Sequence, residues 1–151
     1  MRPFEWSEEY GVSVPEIDSD HQAMFRVADG LYRALVAETS ASQAQPVFRE
    51  LATHAGEHFS HEERLMRASG YPLYAWHKRQ HAVVNGKMKL LERRILHDDR
   101  NAALLVLDLS VWLKNHIRLA DRMLGAYLRN YQRAQAAAGG AGLLAPAGRS
   151  R

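Results

Sequence analysis

His58 and Glu62 lie four residues apart in EHFSHEE (57–63), and His77 and His81 lie four apart in HKRQH (77–81). On a helix turning ~100° per residue, such a pair is offset by only about 40° around the axis, so both side chains aim at one point. Imidazole nitrogens and carboxylate oxygens that converge on a point are ligands for a transition metal. His116 and Asp121, in HIRLAD (116–121), are five apart. On an α-helical wheel that is about 140°, which does not converge. The two residues instead bracket the apolar face of Leu113, Ile117, Ala120 and Leu124, and can reach a large site from its two sides. His21 adds an imidazole from an earlier segment.

The tally is five imidazoles and two carboxylates: His21, His58, His77, His81, His116, Glu62 and Asp121. One zinc ion takes about four ligands, so seven is too many. Two metals of six-coordinate preference offer roughly twelve positions. Five histidines, two bridging carboxylates and one bridging oxide or hydroxide fill about eleven of them, leaving one open for a small ligand. Iron is the natural metal for mixed imidazole and carboxylate ligation with an open position.

The other histidines read differently. His54 and His61 fall about 40° and 60° to one side of His58 on the wheel, as edge residues or neighbours of the ligands. His97 sits near a helix C-terminus, where an imidazole complements the dipole or simply faces solvent. Trp6, Tyr10 and Trp76 read as packing.

These ligands need rigid elements to hold them, and four helical segments are readable. The first opens at DSDHQAMF, with Asp18, Ser19 or Asp20 as cap and Phe25, Ala28, Leu31, Tyr32 and Leu35 at helical spacing. The second follows Ser40 or Ser42 as cap, with Pro46 in its first turn, and runs to the break at SGYP (69–72). The third starts at Pro72 and carries the seam His77, His81, Val84, Met88, Leu91 and Ile95. The fourth opens near DDRNAALL and runs to about Tyr131. Short connections make neighbours antiparallel, so the expected fold is all-α, an up-and-down four-helix bundle. Residues 1–17 form an irregular arm on a domain of residues 1–131. Residues 132–151 are rich in Ala and Gly; their first turn extends the last helix and the rest is expected to be disordered.

Composition narrows the function further. The chain has 151 residues and no cysteine, which excludes thiolate metal sites, ordinary iron–sulfur clusters and thiol catalysis. The formal charge of +3 comes from Arg133, Arg149 and Arg151; positions 1–131 carry 17 basic and 17 acidic residues, so nucleic acid is not an expected partner. No stretch approaches about 18 uncharged apolar residues, so no membrane span is expected. The N-terminus has acids and no apolar run, which predicts a cytoplasmic protein.

His21 with HFSHE (58–62), HKRQH (77–81) and HIRLAD (116–121) resembles the hemerythrin family, specifically its bacterial single-domain members, over about residues 1–131. The resemblance implies a non-haem di-iron centre, oxo- or hydroxo-bridged. His77, His81 and His116 would hold one iron, His21 and His58 the other, with Glu62 and Asp121 bridging. By default Phe25, Phe59, Trp112, Leu113 and Ile117 are core. The resemblance makes Leu113 and Ile117 walls of an oxygen pocket, and Phe25, Phe59 and Trp112 join them.

The implied function is reversible dioxygen binding for storage, transport or delivery, without catalysis. The chain would be a monomer, with an oxygen-consuming enzyme as receiving partner. Two ferrous ions with two carboxylates and a hydroxide sum to about +1, as does the oxidised set holding oxygen, so no charge builds up in a low-dielectric site. Oxidising di-iron bundles use more carboxylates and Glu-x-x-His pairs, and this chain has no Glu-x-x-His. The alternatives are an oxygen or redox sensor, and a weak oxidase, peroxidase or nitric-oxide scavenger.

Overall fold

The computed structural model describes residues 2–139. Helix α1 spans Pro15–Val36, α2 Ala41–Ser69, α3 Tyr74–Leu96, α4 Ala102–His116 and α5 Arg122–Ala137. A π-turn, Ile117–Asp121, joins α4 to α5 without a break, so five helices make four rods. Rod packs on rod around the bundle: α1 on α2, α2 on α3, α3 on α4, and α4 back on α1. The connections are residues 37–40, 70–73 and 97–101, too short for anything but antiparallel neighbours. The fold is all-α, as the periodicity predicts.

The boundaries depart from expectation in instructive ways. Helix α1 starts at Pro15, ahead of the acids expected to cap it. Proline suits the first helical position because its fixed φ is already helical and its missing amide is not needed there. Asp18 serves a different end: its Oδ1 accepts the Val12 amide at 2.8 Å, pinning the incoming chain. The arm therefore ends at Val14, short of residue 17. Ser40 caps α2 in a reciprocal box with Gln43, and Pro46 falls in the second turn of α2, not the first. Gly70, at φ 68°, closes α2 in the left-handed region that glycine enters without strain. Helix α3 follows at Tyr74, two residues later than Pro72. The last rod passes Tyr131 and continues to Ala137. The remainder of the expected tail, residues 140–151, lies outside the described residues.

The core is continuous along the bundle. Ile17, Leu31, Met66, Leu91, Val106, Ile117 and Leu124 are fully buried. The arm closes one side of it. Phe4, Tyr10, Val12 and Val14 are buried, and the Phe4, Trp6 and Tyr10 rings all lie 5.4–6.1 Å from the ring of Phe25. Three arginines of the last rod hold the arm in place. Arg118 bonds Glu9 at 2.8 Å, Arg122 the Glu9 carbonyl and Arg129 the Val12 carbonyl. Among the described residues no helix is long and apolar enough to cross a membrane.

Candidate metal centre

All seven residues singled out by type and spacing meet in the middle of the bundle. His21 comes from α1, His58 and Glu62 from α2, His77 and His81 from α3, His116 and Asp121 from the last rod. Each is at most 4% exposed. Two groups of ligand atoms result, Glu62 with His77, His81 and His116, and His21 and His58 with Glu62 and Asp121, and Glu62 belongs to both.

The last rod reaches this arrangement by a route the α-helical wheel did not anticipate. His116 and Asp121 flank the π-turn, where the Arg122 amide bonds the Ile117 carbonyl five residues back. The wider turn takes up one extra residue, so a pair five apart shares a face, as a pair four apart does on an α-helix. The two side chains meet directly, His116 Nε2 lying 3.0 Å from Asp121 Oδ1.

Each carboxylate turns one oxygen to each group. Asp121 Oδ1 lies 3.1 Å from His77 Nε2 and 3.0 Å from His116 Nε2, while Oδ2 lies 3.0 Å from His21 Nε2. Glu62 Oε2 lies 3.2 Å from His77 Nε2 and 3.1 Å from His81 Nε2, while Oε1 lies 3.2 Å from His58 Nε2. All five imidazoles present Nε2 to the interior. Two of them, His21 and His58, point Nε2 at each other across 3.1 Å. Ring nitrogens facing each other so closely need a shared proton or a shared cation. Ligand atoms at right angles on an ion ~2.1 Å away lie about 3.0 Å apart, which is the spacing found throughout. Asp121 Oδ1 and Oδ2, Glu62 Oε1 and His116 Nε2 are buried without a well-formed hydrogen bond among the described residues. The donor set, its spacing and these unsatisfied atoms fit a pair of metal ions.

The electrostatics make the same demand. Burial and the neighbouring Asp121 would raise the Glu62 carboxyl, but His58 and His77 hold it well below its ordinary value. Burial would likewise raise Asp121, and His116, His21 and His77 hold it well below. Burial would lower His58, but the Glu62 and Asp20 carboxylates push it up to about 10. His77, opposed by burial in the same way, is pushed up to about 9 by Asp121 and Glu62. Two ionised carboxylates in a sealed interior call for positive charge, which protons or metal cations can supply.

Three of the five outer ring nitrogens, those of His58, His81 and His116, are anchored in sequence around the bundle, while Nδ1 of His21 and of His77 has no hydrogen-bond partner among the described residues. Asp20 of α1 sits 3.2 Å from Nδ1 of His58 on α2. Glu63 of α2 sits 3.2 Å from Nδ1 of His81 on α3. Gln80 of α3 accepts from Nδ1 of His116 on α4 at 2.8 Å. Such partners fix which nitrogen carries the proton and how the ring is turned. Burial would raise the Asp20 carboxyl, but His58 and His61 hold it well below its ordinary value. Sequence reasoning missed all three anchors. Their signal was adjacency, since each immediately precedes or follows a ligand: Asp20–His21, Glu62–Glu63 and Gln80–His81. His61 joins this outer layer, its Nδ1 3.2 Å from Asp20 and its Nε2 3.3 Å from Glu16. His54 is more exposed and reaches only Glu50, at 3.9 Å.

Two aromatic rings lie flat on candidate ligands, Phe59 on His81 at 4.2 Å and Trp112 on His116 at 4.6 Å. With Leu113, Met24, Val84 and Leu109 they line an apolar cavity of about 40 Å³. Of the expected pocket walls, Phe59, Trp112 and Leu113 border this cavity. Ile117 and Phe25 do not: Ile117 is buried within the π-turn, and Phe25 lies under the arm.

The Hemerythrin HHE cation binding domain family matches residues 12–128. A bacteriohemerythrin of Stenotrophomonas maltophilia is 32% identical over 119 residues, covering 78% of this chain and 76% of that protein. A myohemerythrin of Riftia pachyptila is 29% identical over 119 residues, covering 79% and 88%. A crystal structure of a leucine-to-phenylalanine variant superposes with a TM-score of 0.72 at 25% identity, covering 83% of this chain and 97% of that one.

Proposed function

Because the chain belongs to the hemerythrin family, we propose that it binds dioxygen reversibly at a non-haem di-iron centre, for oxygen storage, transport or delivery. The observation that carries this reading is the sharing of Glu62 and Asp121. Glu62 offers one oxygen to His77 and His81 and the other to His58, and Asp121 offers one to His77 and His116 and the other to His21. In this reading His77, His81 and His116 hold one iron, His21 and His58 the other, and the two carboxylates bridge. Iron held by these residues would supply, and take back, the electrons that dioxygen needs to bind and leave.

The chain's own residues make that exchange reversible. Asp20, Glu63 and Gln80 hold the Nδ1 protons of their histidines, leaving Nε2 of His58, His81 and His116 free to ligate. Phe59 and Trp112 lock two of the ligand rings by stacking and present an apolar surface beside them. Leu113 extends that surface, and water is disfavoured in a small cavity with no polar lining. Excluding water keeps protons from the bound ligand, which favours release of oxygen over further reaction.

The decisive experiment is anaerobic loading with ferrous iron, metal analysis, and the optical spectrum before air, in air and after argon. Two irons per chain and a spectrum that returns under argon are expected. One iron, or an irreversible ferric spectrum with turnover of a reductant, would favour the oxidase reading instead.

A further inference from the structure

Tyr71 carries a buried polar group that the ligand set leaves unused. The residue is 6% exposed, and its hydroxyl has no hydrogen-bond partner among the described residues. It sits in the connection between α2 and α3, where the chain gives it little freedom. Gly70 turns left-handed before it, its own amide bonds the Met66 carbonyl at 2.9 Å, and Pro72 follows. The Tyr127 ring packs 5.0 Å away, itself fixed by a 2.6 Å bond from its hydroxyl to the Ser69 carbonyl. On its other side the Tyr71 ring meets His77 edge-on at 6.5 Å. Tyr71 does not line the apolar cavity beside Phe59 and Trp112.

A buried donor needs an acceptor. No acceptor among the described residues is within its reach, and the ring packs against the candidate ligand His77. We propose that Tyr71 is a binding residue of the metal centre, its hydroxyl donating a hydrogen bond to a water or hydroxide oxygen enclosed beside His77. The inference rests on the di-iron reading above, because that oxygen is held in place by the loaded centre.

The test compares Tyr71→Phe and Tyr127→Phe with the wild type, each metal-free and loaded with ferrous iron under anaerobic conditions at one fixed excess of metal. Iron content is measured first; a wild-type chain that takes up no iron overturns the di-iron reading and this inference with it. With iron bound, Tyr71→Phe is expected to lower the melting temperature by about 2–4 °C more in the loaded than in the metal-free protein. Tyr127→Phe, whose hydroxyl already has a protein acceptor, should lower both equally. Equal losses for Tyr71→Phe in the two states, with iron content at two, overturn the inference alone. Where the metal-free chain does not melt cooperatively, iron release to a chelator reads the same coupling. Release several-fold faster in Tyr71→Phe than in Tyr127→Phe supports the hydrogen bond, and equal rates overturn it.

Discussion

His116 and Asp121 face each other, Nε2 to Oδ1 at 3.0 Å, across a turn that holds one residue more than an α-helix allows. Leu119, 58% exposed, lies within that turn. Deleting Leu119 should restore an α-helix and leave the two ligands four apart, still on one face. Iron content of two per chain is then expected to survive. Inserting an alanine after Leu119 should rotate Asp121 by ~100° and reduce iron below two. Metal analysis of the two variants checks both, and iron loss in the deletion would show that the π-turn geometry itself is required.

Removing a bridge should be worse than removing a flanking histidine. Glu62→Ala or Asp121→Ala leaves two cations facing each other with less anionic charge between them, so the pair of irons is expected to be lost. His54→Ala, with one distant partner at the surface, should retain both. His61→Ala should retain both as well but release iron faster, since Asp20 loses the support of His61. Equal iron loss in all four would refute this ordering.

The anchors of the outer ring nitrogens offer a graded test. Asp20→Ala, Glu63→Ala and Gln80→Ala are each expected to weaken iron retention by roughly 10–100-fold, with the helical content unchanged. Competition with a chelator, followed optically, measures it.

Leu113 is only partly buried, so Leu113→Ala should cost less than the roughly 2–5 kcal/mol of a fully enclosed leucine. Its functional effect should be larger than its effect on stability. At equal iron loading, the oxygenated spectrum is expected to decay faster in air than in wild type. An unchanged decay would make Leu113 core filler only.

Gly125 lets the backbone of the last rod come close to that of the arm at Val12. A Cβ there would stand 2.6 Å from the Val12 carbonyl oxygen, and backbone does not yield easily. Gly125→Ala should destabilise the fold by about 1–3 kcal/mol in urea titration while leaving iron content at two.

The candidate ligands were legible because two of their pairs stand four apart, a spacing that puts both side chains on one face of a helix. His116 and Asp121 were legible as residue types but not as a pair, because a wheel drawn at 100° cannot represent a turn of different pitch. The acids at 18–20 looked like a helix cap, yet Asp18 holds the arm and Asp20 supports His58. Asp20, Glu63 and Gln80 escaped notice because each lies at a helix edge, partly accessible, where a polar residue needs no special reason. Their role exists only between helices, and helical periodicity describes one helix at a time. Phe25 was core by default and was set among the pocket walls with the family resemblance; in the fold the arm's own aromatic rings pack on it.

The staggered anchoring of the histidines has a consequence for how such a centre can be copied or altered. Every rod but the last contributes a two-residue unit, Asp20–His21, Glu62–Glu63 or Gln80–His81. One member enters the centre and its neighbour steadies a ring borne by the following rod. Grafting the seven ligands alone onto another bundle would therefore transfer the donors without their bearings. The transferable grammar is the dipeptide, and a change in the rotation of any one rod is felt by two.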